Sequence, residues 1–253
     1  TARMLAYTGS CLSEIEREMP RAEALLLEAK SLAERVGLEL ADISIGLGCV
    51  YYHRADFDAA RQLLIQGWKI TQAEQDHWRE CSTLRYLAML ELEAGEPTNA
   101  LTYCHEMNSV AAKMSGEGSE KPFAIALDAL ARYRLQQIGA ESALEQALLT
   151  LRQIDAKRML AYILIGAAQR DLDTGRIELA KIRAEEARLM AEPLHHPSKI
   201  ALAWTIVIQS TWVYGQHQQA IAQFRDLQNN IDEHNLSDRA QKAIRNLAQM
   251  MEY

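Results

Sequence analysis

Two Glu-x-x-His pairs are the first chemistry the sequence offers: Glu74 with His77, and Glu192 with His195. Three residues apart on a helix, a carboxylate and an imidazole face one side. Di-iron bundles present their ligands this way when two such pairs sit on facing helices with two further carboxylates. Pro193 and Pro197 put the second pair in a loop, which removes one wall of such a site. The run His195-His196-Pro197 reads as a surface turn for the same reason. The chain has no GxxxxGK[ST] phosphate loop, no HExxH zinc helix and no GxSxG nucleophile elbow. No acid, base or nucleophile converges at a defined spacing, so a non-enzymatic protein without metal or cofactor is expected.

The elements that position these side chains repeat. The stretch YYHRADFDAARQLL reads as a helix end, a tight turn and a helix start, and LELEAGEPTNALTY, RDLDTGRIELAKI and TWVYGQHQQAIAQF share its layout. Aligned on the alanine that opens each second helix, the series is Ala22, Ala60, Ala100, Ala143, Ala180 and Ala220, a period near forty. Ahead of that alanine stand Leu47-Gly48, Leu87-Ala88 and Ala167-Ala168, where a small residue lets two helices approach closely. Ala55, Gly95, Gly175 and Gly215 follow at the turn, where glycine suits a left-handed helix cap. Behind it run Leu64 and Gly67, Cys104 and Met107, Ala184 and Ala187, and Phe224 and Leu227, one core-facing stripe at helical spacing. Six repeats result, at about 3–40, 41–80, 81–120, 121–157, 158–197 and 198–236. A closing helix at 237–253 follows, capped by Ser237 or Asp238 and apolar at Ala240, Ile244, Leu247 and Met251.

Composition agrees with an all-α chain. Among 253 residues there are 5 Pro, 12 Gly and 3 Phe, against abundant strong helix formers, and the 49% hydrophobic content is enough for a core. A net charge of -7 with interspersed signs offers no basic stripe, so direct nucleic-acid binding is not expected. The longest apolar run, Ile200 to Ile208, is too short to cross a bilayer, so no membrane partner is expected. Cys11, Cys49, Cys81 and Cys104 form no CxxC pair, which suits a reducing, cytoplasmic compartment. The chain opens on Thr1 in a helix-like stretch, from which a piece of a longer protein is expected.

These residues resemble a tetratricopeptide-repeat (TPR) array. Repeat two carries the pattern best, in Leu47, Gly48, Tyr51, Asp56, Phe57 and Ala60; repeat six keeps Trp204, Gly215, Ala220 and Phe224. The period exceeds the common unit of about 34 residues. Repeat one lacks a turn glycine between Arg17 and Pro20, and Gly139 in repeat four lies out of place. The resemblance implies a right-handed superhelical array of about six helical hairpins whose first helices line a concave face. On that face it places Asp42, Ile45, Cys49, Tyr52 and His53; Ser82, Arg85, Met89, Leu92 and Glu93; Asp128, Arg132 and Gln136; Tyr162, Gln169 and Asp173; and Thr205, Gln209 and Trp212. Arg85 and Arg132 would hold an anionic group, Tyr52, Tyr162 and Trp212 would stack, and Gln169 and Gln209 would hydrogen-bond. With no lysine in the set, capture of chaperone tails fits poorly.

The long period, with phrases such as EAKSLAERVG and EEARLMAE, is similar to the sensor arrays of large bacterial transcription regulators that join an ATPase to a LuxR-type DNA-binding domain. That resemblance implies a protein or peptide partner, a small-molecule effector, or other domains of the same parent chain. A constitutive scaffold with no small-molecule response is the alternative.

Overall fold

A computed structural model describes residues 1–114, 118–232 and 235–251, and among them every regular element is helical. The chain divides into two compact units. The first, Thr1–Ala131, holds α1 (Ala2–Glu14), α2 (Met19–Glu34), α3 (Ala41–His53), α4 (Phe57–Glu74), α5 (His77–Ala94), α6 (Pro97–Ala111) and most of α7 (Glu120–Arg134). The second, Arg132–Tyr253, holds the end of α7, then α8 (Ala140–Gln153), α9 (Lys157–Asp173), α10 (Ile177–Ala191), α11 (Pro197–Val213), α12 (His217–Asn230) and α13 (Asp238–Met251). Within the units α1 packs on α2, α3 on α4, α5 on α6, α9 on α10 and α11 on α12.

Local chemistry sets where helices begin. Asp56 and Asp76 accept hydrogen bonds from the backbone N–H of Ala59 (3.2 Å) and Arg79 (3.1 Å), capping α4 and α5. Pro97 and Pro197 open α6 and α11, where a missing N–H costs nothing. Ser237 caps α13 through Ala240 N–H (3.3 Å), and its own N–H donates to Ser198 Oγ (2.9 Å). That helix packs Ala240, Ile244 and Leu247 on α11, while Glu252 and Tyr253 of the expected closing helix lie outside the described residues.

One correction concerns repeat four. Ala143 is exposed, whereas Ala140, Leu144, Ala147 and Leu151 are buried. That spacing matches Ala60, Leu64, Gly67 and Thr71 in α4, and Ala180, Ala184, Ala187 and Ala191 in α10. The repeat alanine is therefore Ala140, and the series Ala60, Ala100, Ala140, Ala180, Ala220 has a constant period of 40. The displaced glycine misled the alignment: Gly139 sits directly before α8 rather than at the end of α7.

The other turns use a left-handed residue after the first helix. Gly95 adopts φ 85° with nothing within 4 Å of where a Cβ would stand, and Ala55 adopts φ 55° at the same repeat position. A Cβ crowds the backbone in this region by about 1–2 kcal/mol. Ala55→Gly is therefore expected to raise stability by about 1 kcal/mol and Gly95→Ala to lower it by a similar amount, read from urea midpoints at unchanged slope.

Candidate functional site

In the first unit α1 packs on α3, which touches α5, so these three first helices present one face. Glu14, the last residue of α1, ties that face together. Ser82 Oγ donates to Glu14 Oε2 at 3.2 Å, Arg85 Nη2 lies 3.6 Å from the same oxygen, and the Tyr86 hydroxyl donates to the Glu14 backbone carbonyl at 2.8 Å. Arg85 also donates to Ser82 Oγ (2.8 Å), and its guanidinium lies 5.0 Å from the Tyr86 ring centroid. A second set stands nearby: Arg79 pairs with Asp42 at 3.1 Å and with Asp76 at 3.3 Å. Burial raises the Asp42 carboxyl above its ordinary range; Arg79 opposes that shift, while Glu14, Asp76 and Glu74 reinforce it. Tyr7 is 55% exposed, and its phenol, hydrogen-bonded to the exposed Cys11, is likewise raised.

Several expected groove residues are core instead. Ile45 and Cys49 are each 2% exposed and pack with Tyr86 and Leu87. Met89 is buried as well, as is Leu92. Tyr52 is half-buried edge-on to Tyr86 (6.1 Å) and tilted against Phe57 (6.4 Å), so it braces α3, α4 and α5 rather than facing open solvent. His53 and Glu93, at the ends of α3 and α5, are half-buried. Asp128 pairs with His105 Nε2 of α6 at 3.4 Å, so it serves a second helix and not the first-helix face. The corrected register explains this, because Asp128 occupies the close-packing position held by Gly48, Ala88 and Ala168.

The second unit presents Arg132, Gln169, Asp173, Gln209 and Trp212 on first helices. Gln169 Nε2 donates to Asp173 Oδ1 (2.9 Å), Trp212 stacks on His217 at 4.2 Å, and Arg132 donates to Gln137 in the α7–α8 turn (3.2 Å). Val213, missed in the sequence, is 53% exposed beside Trp212. Tyr162 and Thr205 are buried, the Thr205 hydroxyl donating to the Leu202 carbonyl (2.8 Å). Gln136 is a correction: it is an exposed turn residue at φ 56°, beyond the end of α7, and lies on no helix face.

Sequence reasoning also missed a buried network. Asp171, 0% exposed, accepts from the Tyr133 hydroxyl and from Arg183 Nη1, and forms an ion pair with Arg176 Nη2 (2.8 Å). Tyr133 in turn accepts from Arg183 Nη1 (2.9 Å) and from Arg176, and Arg183 also pairs with Glu145. Burial alone would ease a proton off Arg183, but hydrogen bonds to Tyr133 and Glu145 and the charge of Asp171 outweigh it and hold the guanidinium firmly protonated. Nine residues ahead of the repeat alanine, Glu91 takes the same place in α5 and accepts from Arg61 of α4 at 2.6 Å. These charges are mutually satisfied, which fits architecture rather than acid–base chemistry.

The Glu-x-x-His pairs also resolve. Glu74 ends α4 and His77 begins α5, with Gln75 between them at φ 56°, and His77 Nδ1 faces Glu80 (3.3 Å). Glu192 lies in a short 3-10 turn paired with Arg188, while His196 is buried against Lys199 Nζ (2.6 Å). Among the described residues no three His, Cys, Asp or Glu side chains gather in a metal-binding group, and no helix is long and apolar enough to cross a membrane.

No protein-family model matches the chain, and no curated protein matches it. Solved structures do. A Rap protein complexed with competence and sporulation factor is similar over 98% of this chain and 70% of its own, at TM-score 0.60 and 17% identity. A signal transduction ATPase with numerous domains (STAND) bearing a tetratricopeptide repeat sensor, from Pyrococcus horikoshii, is similar over 98% of this chain but 36% of its own, at TM-score 0.59 and 15% identity. BtubC (BKLC) from P. vanneervenii is similar over 94% and 93%, at TM-score 0.51 and 19% identity. Identities this low speak for fold alone, and the fold is a TPR-like array of helical hairpins.

Proposed function

We propose that this chain is a non-enzymatic protein- or peptide-binding region, serving as the effector-sensing part of a larger bacterial transcription regulator in the cytoplasm. The observation that carries the reading is a contrast within the second unit. Its buried charges satisfy one another around Asp171, whereas Gln169, Asp173, Gln209, Trp212 and Val213 lie on first helices with polar and aromatic groups at or near the surface. Rings and stems there supply contact area, and amides and a carboxylate fix orientation. Two neighbours in fold support it, one complexed with competence and sporulation factor and one described as a sensor. Binding switches a regulator only if the ligand prefers one of two forms of the array, so the ligand is expected to bind them unequally.

The test is a thermal-shift screen of the chain against metabolites and short peptides. A ligand at 100 times its Kd adds about 2.7 kcal/mol of stability to the folded form. The expected result is a hit whose shift disappears in Asp173→Ala or Trp212→Ala while those variants keep their own melting temperature within a few degrees. A screen in which no hit depends on either residue sinks the reading.

A constitutive scaffold is favoured by a different feature. Met4 (68% exposed), Tyr7, Cys11 and Ile15 (43%) are exposed in succession along α1 and just past its end. Loss of a co-purifying protein on Met4→Glu, with no small-molecule shift, would move the assignment there.

A further inference from the structure

A pocket of about 190 Å³ lies in the first unit, between the second helices of repeats one and two. Helices α2 and α4 both pack on α3, which forms the floor, and the stretch joining α2 to α3 closes one side. The lining is mostly apolar: Leu38 and Leu40 from that stretch, Ile43 and Leu47 from α3, and Leu63 and Ile70 from α4. Leu40, Ile43 and Leu47 are buried, so the pocket reaches down to the core of the unit. One buried polar side chain stands among them. Ser44 lines the pocket at 6% exposure. Other buried hydroxyls turn back on their own helix, as those of Ser13, Thr71, Thr83, Ser210 and Thr211 do by donating to a carbonyl three or four residues earlier. Among the described residues, Ser44 is the one buried serine or threonine whose hydroxyl has no hydrogen-bond partner. A polar group kept from water in this way is costly unless something enters the pocket to pair with it. Charge is confined to the mouth, where Lys30, Glu34 and Glu39 are exposed and the acids outnumber the base.

We propose that the pocket between α2, α3 and α4 binds a small neutral molecule with an apolar body and one hydrogen-bonding group, which pairs with the Ser44 hydroxyl. Size follows from volume: a cavity of about 150 Å³ lined by Leu, Ile and Phe takes benzene, so this one has room for a six-membered ring with one or two further heavy atoms. Neutrality follows from the walls. An ammonium group would lose its water against leucine and isoleucine with a single hydroxyl in return, and a carboxylate would meet the same loss and the acidic mouth besides. The site goes beyond the reading above, because it lies on the second-helix side of the first unit and uses none of the first-helix residues. It joins α2 of one repeat to α3 and α4 of the next, so a bound molecule ties two repeats together.

The test titrates the full chain, labelled at its isoleucine and leucine methyl groups, with benzyl alcohol, toluene, benzoate and benzylammonium, and follows the methyl resonances. Benzyl alcohol is expected to give saturable shifts centred on Ile43, Leu47, Leu63 and Ile70. Both ions are expected to bind at least about tenfold more weakly, and toluene about two- to tenfold more weakly, the range that one net hydrogen bond spans. Ser44→Ala is expected to bring benzyl alcohol down to the level of toluene while leaving toluene binding unchanged. Leu63→Phe, which grows a wall residue into the space, is expected to abolish binding of both; should that variant fold poorly, the Ser44→Ala comparison decides. Absence of saturable shifts at these methyl groups would mean that the pocket holds only solvent and would overturn the proposal. Benzoate or benzylammonium binding as tightly as benzyl alcohol, or an alcohol preference that survives Ser44→Ala, would overturn it as well. None of these results bears on a ligand held through Asp173 and Trp212, so the two readings fail separately.

Discussion

Asp171→Ala is expected to lower the stability of the second unit by about 3–5 kcal/mol, because it strands a buried guanidinium. Asp171 has no exposure and the Arg183 side chain has 4%, so neither charge is hydrated when its partner goes. The pair is not isolated: the Tyr133 hydroxyl donates to Asp171 and accepts from both Arg183 and Arg176, so one carboxylate holds together the end of α7, α9, the α9–α10 turn and α10. The loss reflects an uncompensated charge rather than the worth of the ion pair, and this distinction is testable. Replacing both partners, Asp171→Ala with Arg183→Met, is expected to recover a large part of the loss, since apolar groups in a buried site need no partner. Urea unfolding followed by fluorotryptophan resonances checks both results, because Trp204 and Trp212 report on the second unit and Trp68 and Trp78 on the first. A double variant as unstable as Asp171→Ala alone would mean that the network contributes through geometry that methionine cannot replace.

That network also marks the boundary of what the sequence discloses. Hydrophobic periodicity and small residues report which helix faces are covered, and they do so well here: Ala22, Ala60, Ala100, Ala180 and Ala220 all have no exposure. The one misplaced member, Ala143, fell to a glycine in an unusual position, and burial restores the period through Ala140. Charged residues carry no such signal. Asp171 and Asp173 are two positions apart on one helix, yet one is sealed and the other exposed. A buried acid at the ninth position ahead of the repeat alanine, Glu91 and Asp171 alike, becomes visible only once that register is right.

The face residues were harder still, for a physical reason. Positions that line a groove in a shallow array become core where neighbouring first helices meet, as at Ile45, Cys49 and Met89. Whether they meet depends on long-range contacts such as Glu14 to Ser82, separated by 68 residues, which no local pattern encodes. Repeat one, lacking its turn glycine, gave no reason to look at Glu14 at all. Arg85, Gln169 and Trp212 were legible as residue types on first helices; their partners Glu14, Asp173 and His217 were not legible as partners.

Where the pattern is strongest, in α3 and α4, its energetic content can be measured directly. A Cβ added at Gly48 would stand 2.7 Å from Leu64 Cγ and 2.9 Å from Leu64 Cδ2, so the leucine occupies the notch that the glycine leaves. Gly48→Ala is expected to cost about 1–3 kcal/mol by overpacking. Leu64→Ala, at a side chain with no exposure, is expected to cost about 2–5 kcal/mol through lost burial and a cavity. The two changes address the same volume with opposite sign, so the double variant is expected to be more stable than the sum of the single losses by about 1 kcal/mol or more. The compensation is partial, because the new Cβ still meets the Leu64 backbone nitrogen at 3.3 Å and an alanine methyl fills only a fraction of a leucine. A double-mutant cycle in urea gives the coupling. A coupling near zero would mean that α3 and α4 simply move apart on Gly48→Ala, and the small residue ahead of each repeat alanine would then set helix spacing without governing the packing of the leucine beneath it.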